Sequence, residues 1–150
     1  MTELVLRTVI QAKAEECFRL SLSVDAHTAS MGRSKERAVA GVTEGEMSLG
    51  DSVTWRAMHF GVPFRMTSAI TAYDRPHRFV DQQARGPFRE WWHEHTFIVQ
   101  GGSTLMTDVV RYSAPAGPLG RLIDGLVLRS YMQRLLELRN AWLKSELERG

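Results

Sequence analysis

Residues Glu3 to Gln11 alternate, with Leu4, Leu6, Thr8 and Ile10 on one side and Glu3, Val5, Arg7 and Val9 on the other. That period of two predicts a strand. From Lys13 to Leu22 the apolar positions Ala14, Cys17, Phe18 and Leu20–Leu22 fall at helical spacing, and Asp25 is a good N-cap for a second short helix running toward Met31. Period two then returns: Arg37–Val42, Asp51–Phe60, Pro63–Tyr73, Arg78–Ala84, Phe88–Gln100 and Thr104–Tyr112 all read as strands. Gly61-Val62 and Gly101-Gly102 have the two-residue spacing of tight hairpins, Asp74-Arg75-Pro76-His77 reads as a turn, and Gly86-Pro87 marks a bend or bulge. Beyond Pro115, Gly117 and Pro118, one long helix carries an apolar stripe of Leu119, Leu122, Ile123, Leu126, Val127, Tyr131, Leu135, Leu138 and Trp142, expected to face the core.

The predicted class is therefore α+β: a curved antiparallel sheet of about six to seven strands wrapped around a long C-terminal helix, with two short helices after strand 1. A sheet this long must curl, and the terminal helix is the only element large enough to cover its concave face. That arrangement implies a chamber between sheet and helix.

Composition narrows the function classes. The 150 residues suit one domain spanning 1–150, and a chain of this size buries roughly 70% of its unfolded surface. Apolar residues at 43% and charged residues at 24% are ordinary for a globular chain and argue against disorder. A net charge of only +2, without a basic stripe, argues against nucleic acid as a partner. Cys17 is the single cysteine, which excludes an internal disulfide and a cysteine-based zinc site; its apolar surroundings suit packing. No apolar run is long enough to span a bilayer and no signal peptide is visible, so a cytoplasmic location is expected.

Hairpin geometry then predicts which side chains meet. A Gly101-Gly102 turn pairs Gln100 with Ser103, and so His95 with Asp108, Phe97 with Met106, His93 with Val110 and Trp91 with Tyr112, all on one face. The opposite face collects Glu90, Trp92, Glu94, Thr96, Thr107 and Arg111, which suits solvent. A Gly61-Val62 turn pairs His59 with Phe64, Ala57 with Met66 and Trp55 with Ser68, and nominates Trp55, His59 and Met66 for the chamber wall. Between the hairpins, Phe79, Asp81, Gln83 and Arg85 share a face, and if Phe79 points inward so do Asp81 and Gln83.

Buried polar groups cost on the order of 1–3 kcal/mol each unless hydrogen-bonded, so several on one concave wall call for a reason. Four readings remain open. They form a structural network, His95 with Asp108 and His93 with Asp81 or Gln83; they orient a polar ligand; His95 acts as a base oriented by Asp108; or His93, His95 and Asp108 hold a metal, for which His-x-His alone is a weak signal. No metal and no cofactor is expected.

The chain also resembles a known family, the START-like helix-grip superfamily (SRPBCC, polyketide cyclase/dehydrase-like), and within it an uncharacterised branch. The resemblance covers nearly the whole chain and rests on IQAKAEECF at 10–18, ITAYDRPHRFVDQQARGPFREWWHEHTF at 70–97, GGSTLMTDVVRY at 101–112 and PAGPLGRLID at 115–124. It departs where the family's opening usually has proline, at Lys13 or Ala14. It implies a hydrophobic cavity between sheet and last helix, in a superfamily whose members bind lipids, polyketides or other apolar molecules and include some aromatase/cyclases, with no universal catalytic residues to carry over.

Together these readings set the expectation. A small, mostly hydrophobic molecule binds between Trp55, His59, Met66, Trp91, Phe97, Met106 and Tyr112, with Leu126 or Val127 as a helical lid and Asp81, Gln83, His93, His95 and Asp108 placing its polar atoms. The alternative is a cofactor-free cyclase, dehydratase or hydrolase using the pair His95 and Asp108.

Overall fold

The computed structural model describes residues 1–149. Seven strands, β1 (Thr2–Ile10), β2 (Arg37–Gly41), β3 (Ser52–His59), β4 (Val62–Asp74), β5 (Arg78–Arg85), β6 (Glu90–Gln100) and β7 (Ser103–Ser113), form one antiparallel sheet in the order β1-β7-β6-β5-β4-β3-β2. β1 and β2 therefore lie at opposite edges, and the chain crosses between them through α1 (Ala14–Leu22) and α2 (Val24–Ser30). The C-terminal helical rod comprises α3 (Gly117–Ile123), a π-helical turn (Asp124–Leu128) and α4 (Arg129–Glu148). This is the helix-grip arrangement that the alternation of periods predicts.

The β6–β7 hairpin has the expected pairing, Gln100 with Ser103, His95 with Asp108 and Trp91 with Tyr112. The β3–β4 hairpin does not. Its turn is Phe60-Gly61, so Trp55 pairs with Met66, Ala57 with Phe64 and His59 with Val62. Both turn residues have positive φ, and Gly61 meets that demand without side-chain strain. The correction shifts the register by two residues, which preserves the faces. A second correction concerns α2: Ser23, not Asp25, caps it by accepting the Ala26 N–H at 3.1 Å, while Asp25 accepts the Gly45 N–H of the following loop.

Two apolar clusters sit on the concave side. One centres on Phe18, whose ring meets Tyr73, Phe79 and Phe97 edge-on at 5.4–5.6 Å, with Ile10, Cys17, Met106 and Leu143 around it. The other gathers Leu4, Leu6, Trp91, Val110, Tyr112 and Leu136. Along β6 the inward residues run Trp91, His93, His95, Phe97, and along β7 they run Met106, Asp108, Val110, Tyr112. The polar residues thus form a layer between the clusters. On the outer face Arg111 lies over the Trp92 ring at 4.9 Å.

The terminal rod corrects the expected stripe. Its inward residues are Gly120, Asp124, Leu135, Leu136, Arg139, Asn140 and Leu143, whereas Leu119, Leu122, Ile123, Leu126 and Val127 are exposed. The phase is set at the start of the rod. Gly120 packs so closely on the Pro115 carbonyl that a Cβ would lie 1.7 Å from its oxygen. Asp124 turns inward to accept hydrogen bonds from the Tyr112 and Thr2 hydroxyls, and the leucines on the other side of the rod are left in solvent.

Candidate functional site

Between the sheet and the rod lies a cavity of about 390 Å³. Trp55, Ala57, Met66, Ile70, Phe79 and Trp91 wall it from the sheet, Leu128, Tyr131, Met132, Leu135 and Leu136 from the rod, and Leu22, Val24 and Met31 from the helices after β1. Most of that wall is apolar, with polar groups gathered in two places, which is the usual make-up of a small-molecule site.

The deeper polar group is a box of two carboxylates and two imidazoles. His93 and His95 stack with ring centroids 3.8 Å apart, and Phe79 stacks on the other face of His95 at 4.1 Å. At one end His93 Nε2–H donates to Asp108 Oδ1 at 2.8 Å, and His95 Nδ1 lies 3.3 Å from the same oxygen without hydrogen-bond geometry. At the other end His95 Nε2–H donates to Asp81 Oδ2 at 2.6 Å, with His93 Nδ1 at 3.8 Å. Arg139 Nη1 and Asn140 Nδ2 donate to Asp108 at 3.2 and 2.8 Å. The pairing is therefore crossed relative to the expectation: the short bonds run His93 to Asp108 and His95 to Asp81. Directly opposed strand residues need not be the bonded ones, because each imidazole also reaches a diagonal neighbour.

The electrostatics follow from this geometry. Burial disfavours the Asp108 charge, yet the His93 donor, the adjacent His95 imidazole and the Arg139 guanidinium outweigh it and hold the carboxyl well below the usual range. Asp81 is likewise lowered, burial being overcome by the two histidines and Arg139. Burial and the neighbouring His95 push His93 down, whereas on His95 the two carboxylates overcome burial and push it up. Of the two stacked rings, His95 therefore holds a proton more tightly than His93, with Asp81 as its short-bonded partner. Asp108 is balanced by Arg139. Neutral His93, with its proton on Nε2, keeps the Nδ1 lone pair free.

A second polar group lies nearer the mouth. His27 Nε2 is 2.8 Å from Glu36 Oε1, the Ser34 hydroxyl donates to Glu36 Oε2 at 2.9 Å, and His59 Nδ1 and the Tyr131 hydroxyl are hydrogen-bonded at 2.7 Å. His27 lies over Trp55 at 4.2 Å. Burial works against the Glu36 charge, but His27 and Ser34 bring its pKa down; burial lowers that of His59.

Of the residues nominated from the sequence, Trp55, His59, Met66, Asp81, Trp91, His93 and His95 line the cavity. The others do not. Phe97 and Met106 are packed in the Phe18 cluster and Tyr112 in the other. Asp108 is fully buried behind the histidines, and Gln83 is spent on the Phe88 backbone, donating to its carbonyl and accepting its N–H. Leu126 and Val127 lie on the outer side of the rod, and the wall is formed there by Ile123, Leu128, Tyr131 and Met132 instead. His27, Glu36 and Arg139 were not anticipated, and Tyr131 only as a member of the core-facing stripe. Arg139 had a signal: a stripe phased on Leu135, Leu136 and Leu143 carries it into the core. Glu36, beside Lys35 and Arg37, had none.

Among the described residues, Asp81, His93 and His95 are the one group whose side-chain ligand atoms, all within 4.8 Å of one another, could approach a common metal ion. The near-parallel stacking of the rings is unsuited to it, because an ion cannot lie in both ring planes at once. Among the described residues, no helix is long and apolar enough to cross a membrane.

No family model and no curated protein sequence matches the chain. Solved structures do. TTHA0849 from Thermus thermophilus aligns with a TM-score of 0.80 at 18% identity over 97% of both chains. An aromatase/cyclase, Zhui, from Streptomyces sp. R1128 aligns at 0.76 and 14% identity over 99% of this chain and 94% of its own. A START superfamily protein from Mycobacterium smegmatis aligns at 0.72 and 14% identity over 98% and 97%. The chain therefore has the START-like helix-grip fold.

Proposed function

We infer that residues 1–150 act as one ligand-binding unit that takes a small, mostly apolar molecule into the cavity. The supporting observation is the cavity itself: about 390 Å³ with a largely apolar wall and its polar groups gathered at two points. An apolar body would lie against Trp55, Met66, Trp91 and Met132. One polar group of the molecule would meet Asp81, His93 Nδ1 and Arg139. Because the box is charge-balanced, it suits a neutral hydroxyl or carbonyl better than a second full charge. The likeness to an aromatase/cyclase and to a START superfamily protein is compatible with a lipid, polyketide or aromatic-like ligand.

Native followed by denaturing mass spectrometry of freshly purified protein tests the reading. It predicts an organic mass of a few hundred daltons that leaves on denaturation, or, after delipidation, one saturable site for an apolar fluorescent probe. A protein that carries nothing and takes up no such probe contradicts it.

One observation favours a second reading, a cofactor-free cyclase, dehydratase or hydrolase. The Asp108–His93 pair fixes the imidazole tautomer with the Nδ1 lone pair toward Asp81 and the cavity, as a general base requires. The base would then be His93, not His95. In that case His93→Gln abolishes turnover while the apolar probe still binds.

A further inference from the structure

The outer side of the terminal rod is the feature that neither folding nor the cavity accounts for. Leu119, Leu122 and Leu126 are 59, 58 and 72% exposed, and Ile123 and Val127 about half exposed. They recur at the i, i+3, i+4, i+7 and i+8 spacing of one helical face. A second exposed apolar element stands across the mouth: the β3–β4 hairpin tip, where Phe60 and Val62 are exposed and Phe60 meets Tyr131 at 4.4 Å. Ile123, Tyr131 and Phe60 also line the cavity, so this apolar surface is continuous with the cavity wall. Soluble proteins rarely leave contiguous aliphatic surface of this kind without a partner.

Charge identifies the partner. Between residues 115 and 136 the exposed charges are Arg121, Arg129 and Arg134, all basic, and the single acid, Asp124, is buried under the Tyr112 and Thr2 hydroxyls. We propose that this face docks the protein onto an anionic lipid bilayer, with Leu119, Leu122 and Leu126 entering the acyl boundary and the arginines meeting lipid phosphates. An aliphatic face bordered by arginines is the make-up of an interfacial amphipathic helix. A second copy of the chain fits less well. A two-fold contact sets the same face against itself and brings the arginines of both copies together. Docking places the mouth of the cavity against the phase in which apolar molecules accumulate.

The test is flotation of the purified protein with vesicles of phosphatidylcholine alone and of phosphatidylcholine containing phosphatidylglycerol, without added ligand. The proposal predicts association with the anionic vesicles, weakened several-fold by raised salt and by Arg129→Gln/Arg134→Gln. It predicts loss of at least tenfold in affinity for Leu122→Glu/Leu126→Glu. None of these side chains is buried or lines the cavity, so circular dichroism and apolar-probe binding should stay unchanged in both variants. Failure to float with either vesicle overturns the proposal, as does undiminished binding by the glutamate variant. A concentration-dependent dimer abolished by the same glutamates also overturns it and gives the face to a second copy. Vesicle binding is read without cavity ligand, so the docking proposal and the ligand-binding reading fail separately.

Discussion

The two halves of the C-terminal rod invert the ordinary rule for a helix on a sheet. The second half buries Arg139 and Asn140 beside Leu135, Leu136 and Leu143, while the first half exposes Leu119, Leu122 and Leu126. Folding alone favours the reverse. A buried ion network tends to break even with an apolar core of the same shape, and exposed leucines forgo their burial energy. The contrast locates the two places where the chain departs from what stability alone favours: a polar wall inside a hydrophobic chamber, and an apolar rim outside it.

The largest effect should come from the buried half. Asp108→Ala leaves the Arg139 guanidinium in the interior without its counterion and the His93 and Asn140 donors without their acceptor, and should cost about 3–5 kcal/mol in urea unfolding. A loss under 1 kcal/mol would mean the network is already wet or slack. Leu143→Ala, a truncation in the Phe18 cluster, should cost about 2–4 kcal/mol, since large-to-small changes lose transfer energy and leave a void.

A pH series sharpens the contrast further. Asp81 and Asp108 titrate below the ordinary carboxylate range, so their stabilisation is complete at neutral pH and is lost as pH falls through their lowered native values. His93 titrates below its ordinary 6.5, so its contribution is complete above that value. His95 titrates above 6.5, so its contribution is complete below it and is lost as pH rises through its native value. About a unit above pH 6.5, where His93 and His59 are neutral in both folded and unfolded states, thermal unfolding of the native protein should shift to lower temperature with rising pH, and His95→Gln should remove that slope. A flat native profile there would place the shared proton elsewhere.

The smallest effect belongs to the exposed half. Leu126→Ala should change stability by no more than about 0.5 kcal/mol, as surface substitutions do. A cost comparable to that of Leu143→Ala would show that the rod packs its leucines inward and would erase the contrast.

The fold was legible in the sequence because its signals are local. Alternation marks β1 and β4 to β7, and Gly101-Gly102 fixes the β6–β7 pairing that sets His95 opposite Asp108. The β3–β4 turn was misplaced because Phe60 adopts positive φ, a role that glycine ordinarily signals. The first half of the rod's stripe was misread because its phase is decided by two long-range contacts, Gly120 on Pro115 and Asp124 under Tyr112, which no helical period reveals. The site was half legible for the same reason. Side chains on one strand face, Trp91, His93 and His95, followed from period two. Glu36 and His27 reach the cavity through loop and helix geometry that pairing does not constrain. The crossing of the His–Asp bonds depends on rotamers, which register leaves free.

The most direct test of the cavity as a ligand site is equilibrium titration with an apolar fluorescent probe of the native protein and of Ala57→Phe, which projects a ring into the chamber from β3, with thermal unfolding as the control for folding. The account predicts one saturable site in the native protein, weakened at least tenfold in the folded variant. Equal binding by both, or no saturable binding by the native protein, would contradict it.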